Sequence, residues 1–356
     1  MPLVGWGTRR GKGLPRASLA VHLIMQALLH IDLQAIVANW RRLRGIHGAE
    51  VAAVLKADGY GLGAAAVGCA LRAAGCRHFF VAHLAEGLAL RAALGPGPMV
   101  AVLNGFDGSA DVWPVVNNLA AARAALGPVL LHVDTGMARL GLDVAELATL
   151  PPLDVRYVMT HLACADVPAH PLNAVQRERF AMVRQMFPGV PSSFANSSGI
   201  FLGAGFASDL ARPGAALFGI NPTPGEANPM ACVVRLEAPV LQLRDVPAGT
   251  SVGYGATWIA PRDSTIATVA AGYADGYFRV LSGRGLGVLA GCPVPVVGRV
   301  SMDLTAFDVT GVPAALGNML TLIGPDNPPD LVAEIAGTIG YEVLTSLGSR
   351  YRRIYG

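Results

Sequence analysis

Between residues 50 and about 215, eight short apolar runs of β type ("VAAVLK", "HFFVAH", "MVAVLN", "VWPVVN", "VLLHVD", "VRYVMTH", "SSFANS" and "SDLARPG") are separated by helix-like stretches such as 64–74 and 173–186. Strands that alternate with helices run parallel, because each helix carries the chain back to the edge from which it came. Eight such units predict a closed (β/α)8 TIM-like barrel, a fold that places its chemistry at the carboxyl ends of the strands. Polar residues fall at those ends. Lys56 ends the first run, Asp134 and Arg139 follow the fifth, His161 ends the sixth, Asn196 and Ser197 end the seventh, and Arg212 follows the eighth. The reading expects these separated residues to converge on one face.

A ninth run, "LLHIDL" at 28–33, is one too many for the barrel and is expected to pair elsewhere, with the C-terminal region. After about residue 231 the texture changes to alternating strands with Gly and Pro turns, which predicts a mostly antiparallel β domain interrupted by one helix near 329–339. The expected organisation is an extension over 1–27, a barrel domain over 28–231 and a β domain over 232–356.

Hydrophobic residues make up 53% of the 356 and charged residues 14%, a balance that raises the question of a membrane protein. No uninterrupted apolar run of about 18 residues is present, and much of the apolar count is alanine. A net charge of +3 with no basic stripe argues against nucleic acid as a partner. The five cysteines are scattered and form no C-x-x-C pair, which fits a reduced, cytoplasmic protein without a metal centre. Residues 8–29 imitate a signal peptide, but His22 and Gln26 interrupt the apolar part and no small-x-small cleavage site follows. Trp6 and Gly13 exclude a phosphate loop there. The segment reads as a disordered extension, or as sequence upstream of a true start at Met25.

A lysine is ordinarily a solvated surface residue. Lys56 directly follows the apolar 51–55, and Gly59, Gly61 and Gly63 then supply the freedom of a tight turn where other groups come close. A partly desolvated lysine at such a strand end has a lowered pKa and can act as an amine nucleophile or base. Histidine at a strand end, tyrosine in "GYG" and the Gly-rich "GYADGY" each have bland structural readings when taken singly.

The motifs together are more specific. "AVLKADGYG", "VDTGMARLGL", "MTHLACAD", "ANSSGI", "RPGAALFGI", "SVGYGATW", "GYADGY" and "VVGRVSMD" occur in the order seen in fold-type III pyridoxal phosphate (PLP) enzymes, and the chain resembles the alanine racemases among them from about Leu29 to Tyr355. The resemblance implies that PLP is carried covalently on Lys56. It implies that Tyr60, Ser197, Gly214 and Ala215 bind the cofactor phosphate, with Asn196 beside them, and that Arg212 donates to the pyridine nitrogen. It further implies a two-base racemisation of alanine with Lys56 on one face and Tyr254 on the other, His161 and Arg212 being the partners of Tyr254. Arg139 would contact the cofactor and the substrate carboxylate, and Tyr273 would help form the substrate gateway. Tyr254, Met302 and Asp303 would enter from the second subunit of a homodimer.

Three positions depart from the family pattern. Leu62 stands where a histidine is usual, and removes a polar side chain outside the chemistry. His132 stands where some members carry a carbamylated lysine, so Arg139 is expected to be held differently, by His132 itself. Ser349 stands at the place of a phosphate-binding tyrosine, with Tyr351 the neighbouring candidate to replace it. Racemases of other small amino acids such as serine remain open, since a few pocket side chains decide specificity. A non-catalytic PLP-binding barrel is disfavoured by the β domain, and a decarboxylase of basic amino acids by Arg212. The resemblance implies a role in supplying D-alanine for peptidoglycan or in alanine catabolism.

Overall fold

The computed structural model describes residues 26–105 and 111–356; the extension expected over 1–27 lies, up to residue 25, outside them. Short strands, most of them apolar and buried, form the first sheet: Glu50–Val51, Ala53–Val54, His78–Val81, Met99–Val102, Trp113–Val116, Pro128–His132, Asp154–Met159, Ser192–Ser193 and Leu210–Ala211. Every neighbouring pair is parallel. The first two segments are halves of one strand bent at Ala52. One half pairs with Leu210 and the other with Phe80, so the sheet closes on itself. Nine segments thus make eight staves, the predicted (β/α)8 barrel.

The connections are less regular than the sequence pattern suggests. Helices Ala64–Ala73, Leu84–Leu94, Leu119–Ala124 and Pro171–Met186 follow four of the staves, whereas those before the sixth stave and after the seventh and eighth hold 3₁₀ turns. The gap between the last and first staves is filled by Leu33–His47, a helix that precedes the barrel in sequence. Asp32 caps it by accepting from Ala35 N at 2.8 Å, Gly48 ends it in the left-handed region, and Ile36, Trp40 and Leu43 supply its buried face at helical spacing. Trp40 Nε1 donates to Val51 O at 2.9 Å, which ties it to the first stave.

The second sheet is organised by one long strand, Val234–Val246. Its first half pairs with Leu28–Ile31 and Met319–Ile323, and its second half with Ser264–Val269. Thr305–Asp308, Cys292–Val297 and Leu286–Leu289 complete a ring of antiparallel pairs. Leu28–Ile31 lies beside that ring, with Arg352–Tyr355 parallel on its outer edge. The single helix expected near 329–339 is two, Pro329–Ala336 and Gly340–Thr345, because Gly337 adopts a left-handed cap (φ 72) that ends the first. No helix among the described residues is long and apolar enough to cross a membrane.

The loop that carries Tyr273 is held by a close backbone approach. Gly276 has φ +91, and a Cβ there would lie 2.0 Å from Ser346 O. Gly276→Ala is expected to cost at least about 2 kcal/mol, since it adds left-handed strain and forces two backbones apart. A denaturant midpoint unchanged from the parent would show that the loops separate freely.

Candidate active site

Lys56 opens a turn found nowhere else among the described residues. Ala57, Asp58, Gly59 and Tyr60 all adopt left-handed backbone, with φ of 53, 51, 63 and 55. Three of the four carry a Cβ, at a cost of about 1 kcal/mol or more each. Burial of the Tyr60 ring against Phe218, centroids 5.0 Å apart, offsets part of that cost. Asp58 accepts from Ala64 N at 2.8 Å and closes the turn onto the following helix. The consequence is positional: the chain reverses at once behind Lys56, and its side chain stays at the barrel mouth.

That mouth is a cavity of roughly 680 Å³ lined by Lys56, Tyr60, Arg139, His161, Asn196, Ser197, Arg212, Gly214 and Ala215, the nine expected barrel residues. Lys56 is held below its ordinary range by desolvation and by the positive charge of Arg139, with Glu86 acting in the opposite sense. Arg212 is 4% exposed. It donates to Ser193 Oγ and Thr160 O, both at 2.5 Å, and to His161 Nδ1 at 3.4 Å. These acceptors are neutral, and burial lowers the guanidinium to about 10, so it remains a cation at neutral pH.

Because Arg212 donates to Nδ1 of His161, the ring's own proton belongs on Nε2. Desolvation, then Arg212 and Arg139, hold His161 well below its usual range, and it is neutral. Its loop is pinned by the buried Gln176, which donates to His161 O at 2.9 Å and accepts from Ala163 N at 2.9 Å.

At the other end of the cavity, Ser197 Oγ accepts from Gly214 N at 3.1 Å and Ala216 N at 3.2 Å, leaving its O–H free to donate. Only glycine fits at 214, where a Cβ would meet Tyr60 Oη at 2.1 Å. The hydroxyls of Ser197 and Tyr60 and the backbone at Gly214 and Ala215 thus line one end of the cavity, a cradle for an anion. Asn196 accepts from Gly199 N at 2.9 Å and shapes the adjoining turn.

Two expectations are corrected. His132 does not hydrogen-bond Arg139. Its Nδ1 pairs with Asn117 Oδ1 at 2.7 Å, and Asn117 is oriented by donating to Leu103 O and Val115 O. Nδ1 is therefore the donor and Nε2 an unprotonated acceptor; desolvation and Arg212 push the ring down to about 4. Arg139 is placed by its loop instead, where Asp134 accepts from the amides of Gly136, Met137 and Ala138, each at 2.8 Å. Burial works to raise the Asp134 carboxyl, but those bonds outweigh it and keep it below its ordinary value. Tyr351, for its part, is buried in the β domain and does not reach the cavity, and Ser349 is exposed away from it. The tyrosine that the β domain does contribute is Tyr341, from Gly340–Thr345, with its ring centroid 6.2 Å from that of Tyr60.

Tyr254, Tyr273, Met302 and Asp303 do not line the cavity of their own chain. They gather elsewhere on the β domain. Tyr273 N and Ala274 N donate to Ser301 O and Met302 O at 2.9 Å, and Arg350 bridges Asp303 at 2.8 Å to Asp275 at 3.0 Å. Gly255, beside Tyr254, abuts the Arg299 guanidinium. Tyr254 is 70% and Met302 54% exposed, with Leu304 exposed as well.

The donor set fits PLP: an amine for its aldehyde, an anion cradle for its phosphate, and a buried donor for its ring nitrogen. Fold and site define a barrel enzyme whose chemistry centres on a lysine beside an anion-binding end. Residues 31–222 match the family described as Alanine racemase, N-terminal domain, and residues 233–355 the Alanine racemase, C-terminal domain. An alanine racemase of Acidiphilium cryptum is 52% identical over 92% of this chain and 98% of that protein. A catabolic alanine racemase of Mesorhizobium japonicum is 48% identical over 92% and 93%. The crystal structure of alanine racemase from Bartonella henselae with covalently bound pyridoxal phosphate superposes with a TM-score of 0.87 at 41% identity, covering 93% of this chain and 99% of that one. The chain belongs to the alanine racemase family.

Proposed function

We propose that the protein interconverts L- and D-alanine as a PLP-dependent racemase, with Lys56 and Tyr254 of the partner subunit as bases on opposite faces of Cα. The observation that carries this reading is the convergence, in one cavity, of a desolvated lysine, an anion cradle and a buried guanidinium whose hydrogen-bond acceptors are neutral. Lys56 would carry PLP between turnovers and give it up to the substrate amino group, becoming a free amine, and the group would then supply an electron-withdrawing ring that acidifies the Cα–H.

The chain's residues then decide the outcome. Arg212 stays charged and would donate to the ring nitrogen, so that nitrogen would hold no proton of its own and the group would supply only weak electron withdrawal. Arg212 would thereby favour return of the proton to Cα, from Lys56 on one face or Tyr254 on the other. Tyr60, Ser197, Gly214 and Ala215 would hold the phosphate. Arg139, at the rim, meets the substrate carboxylate.

A phenol with an ordinary pKa near 10 is a poor base at neutral pH. The Nε2–H of neutral His161, backed by the Arg212 cation, is the donor that stabilises the phenolate of Tyr254. Since the face bearing Tyr254, Tyr273, Met302 and Asp303 lies outside its own chain's cavity, a homodimer completes each site by lending it to the other barrel. The unpaired state of all five cysteines supports a reducing compartment, the cytoplasm.

The reading is tested by isotope exchange. Tyr254→Phe should slow the exchange of the L-alanine Cα proton with deuterated water by about 10²-fold or more, while D-alanine exchange through Lys56 continues. Equal slowing for both enantiomers would remove Tyr254 from its face.

A further inference from the structure

Glu86 lies in the first turn of Leu84–Leu94, in the βα unit after the one that carries Lys56, and does not line the cavity. Its Oε2 accepts from Ala82 N at 2.8 Å and His83 N at 3.1 Å, as a capping carboxylate does. Its Oε1 reaches across to Ala57 N at 2.6 Å, the amide directly behind Lys56 and the first residue of the left-handed turn. A helix cap therefore also clamps the strained backbone that aims the lysine.

We propose, resting on the reading of Lys56 as a base, that Glu86 is a positioning residue for Lys56: it holds the Ala57 amide and supplies the negative charge that balances the cations around the lysine. The groups facing Lys56 support this. Arg139, Arg212, His132 and His161 surround the cavity, and both histidines are neutral. Among nearby carboxylates, Asp58 is turned to Ala64 N and Glu342 to the Thr338 hydroxyl. Glu86 acts on Lys56 in the sense that favours its ammonium form.

The test follows the D-alanine Cα exchange rate against pH in the Tyr254→Phe holoenzyme, where Lys56 alone moves the proton. Glu86→Gln keeps the shape and removes the charge. The limb on which exchange rises with pH should move down by about one unit, and the plateau should fall about 10- to 100-fold as the turn loosens. Glu86→Asp keeps the charge but shortens the reach, so the plateau should fall and the limb stay. An unmoved limb in Glu86→Gln, or equal shifts in both variants, would overturn the proposal by reducing Glu86 to a helix cap. Lys56→Ala in the same assay keeps the two readings apart. If it still exchanges D-alanine, the assignment of Lys56 fails, whatever Glu86 does.

Discussion

Lys56→Ala is expected to lower racemase activity by a factor of about 10⁴ or more, because in the proposed mechanism one substitution removes both the covalent anchor of the cofactor and one of the two bases. The fold should survive it. Lys56 is only half-buried and its backbone is set by the turn behind it, where the Glu86 clamp and the Tyr60 packing remain. Chiral analysis of alanine gives the rate, and borohydride reduction followed by peptide mapping gives the attachment point. The parent should carry the reduced cofactor on the peptide containing Lys56, and the variant should carry none there. Wild-type racemisation by the variant would contradict the account at its root.

The residues of the barrel mouth were legible because a barrel concentrates them. Once eight apolar runs are read as staves, a lysine, a histidine, an asparagine–serine pair and an arginine at their carboxyl ends must share one face, and the structure brings them into one cavity. Asn117 closes the fourth run in the same way and was open to the same rule. Its meaning became clear only from its bonds to His132, Leu103 and Val115, since an amide's orientation is set by neighbours distant in sequence. Glu86 carries a local signal, a carboxylate three residues after a helix cap, but that signal predicts capping and says nothing of Ala57.

Tyr341 was missed for a different reason. It belongs to a short helix some 280 residues beyond Lys56, and only the docking of the β domain places it beside Tyr60. The expected role of Tyr351 failed because burial of its ring in the β domain won over proximity to the basic C-terminal stretch. The left-handed turn was half visible: the glycines at 59, 61 and 63 announced a turn, but three residues with side chains share its strained backbone, and no propensity favours them there.

The central claim is that the lysine of one chain and the tyrosine of another act in one site, and mixing two inactive variants tests it. A heterodimer of Lys56→Ala and Tyr254→Phe chains has one site with both defects and one with neither. Random assortment makes about half of the dimers heterodimers, each with one working site of two, so activity should recover to roughly a quarter of the parent value. Co-expression with two different affinity tags isolates those heterodimers, whose activity should be about half that of the parent dimer. Recovery to that level is the predicted result; purified heterodimers no more active than the two parents would contradict a site shared between subunits.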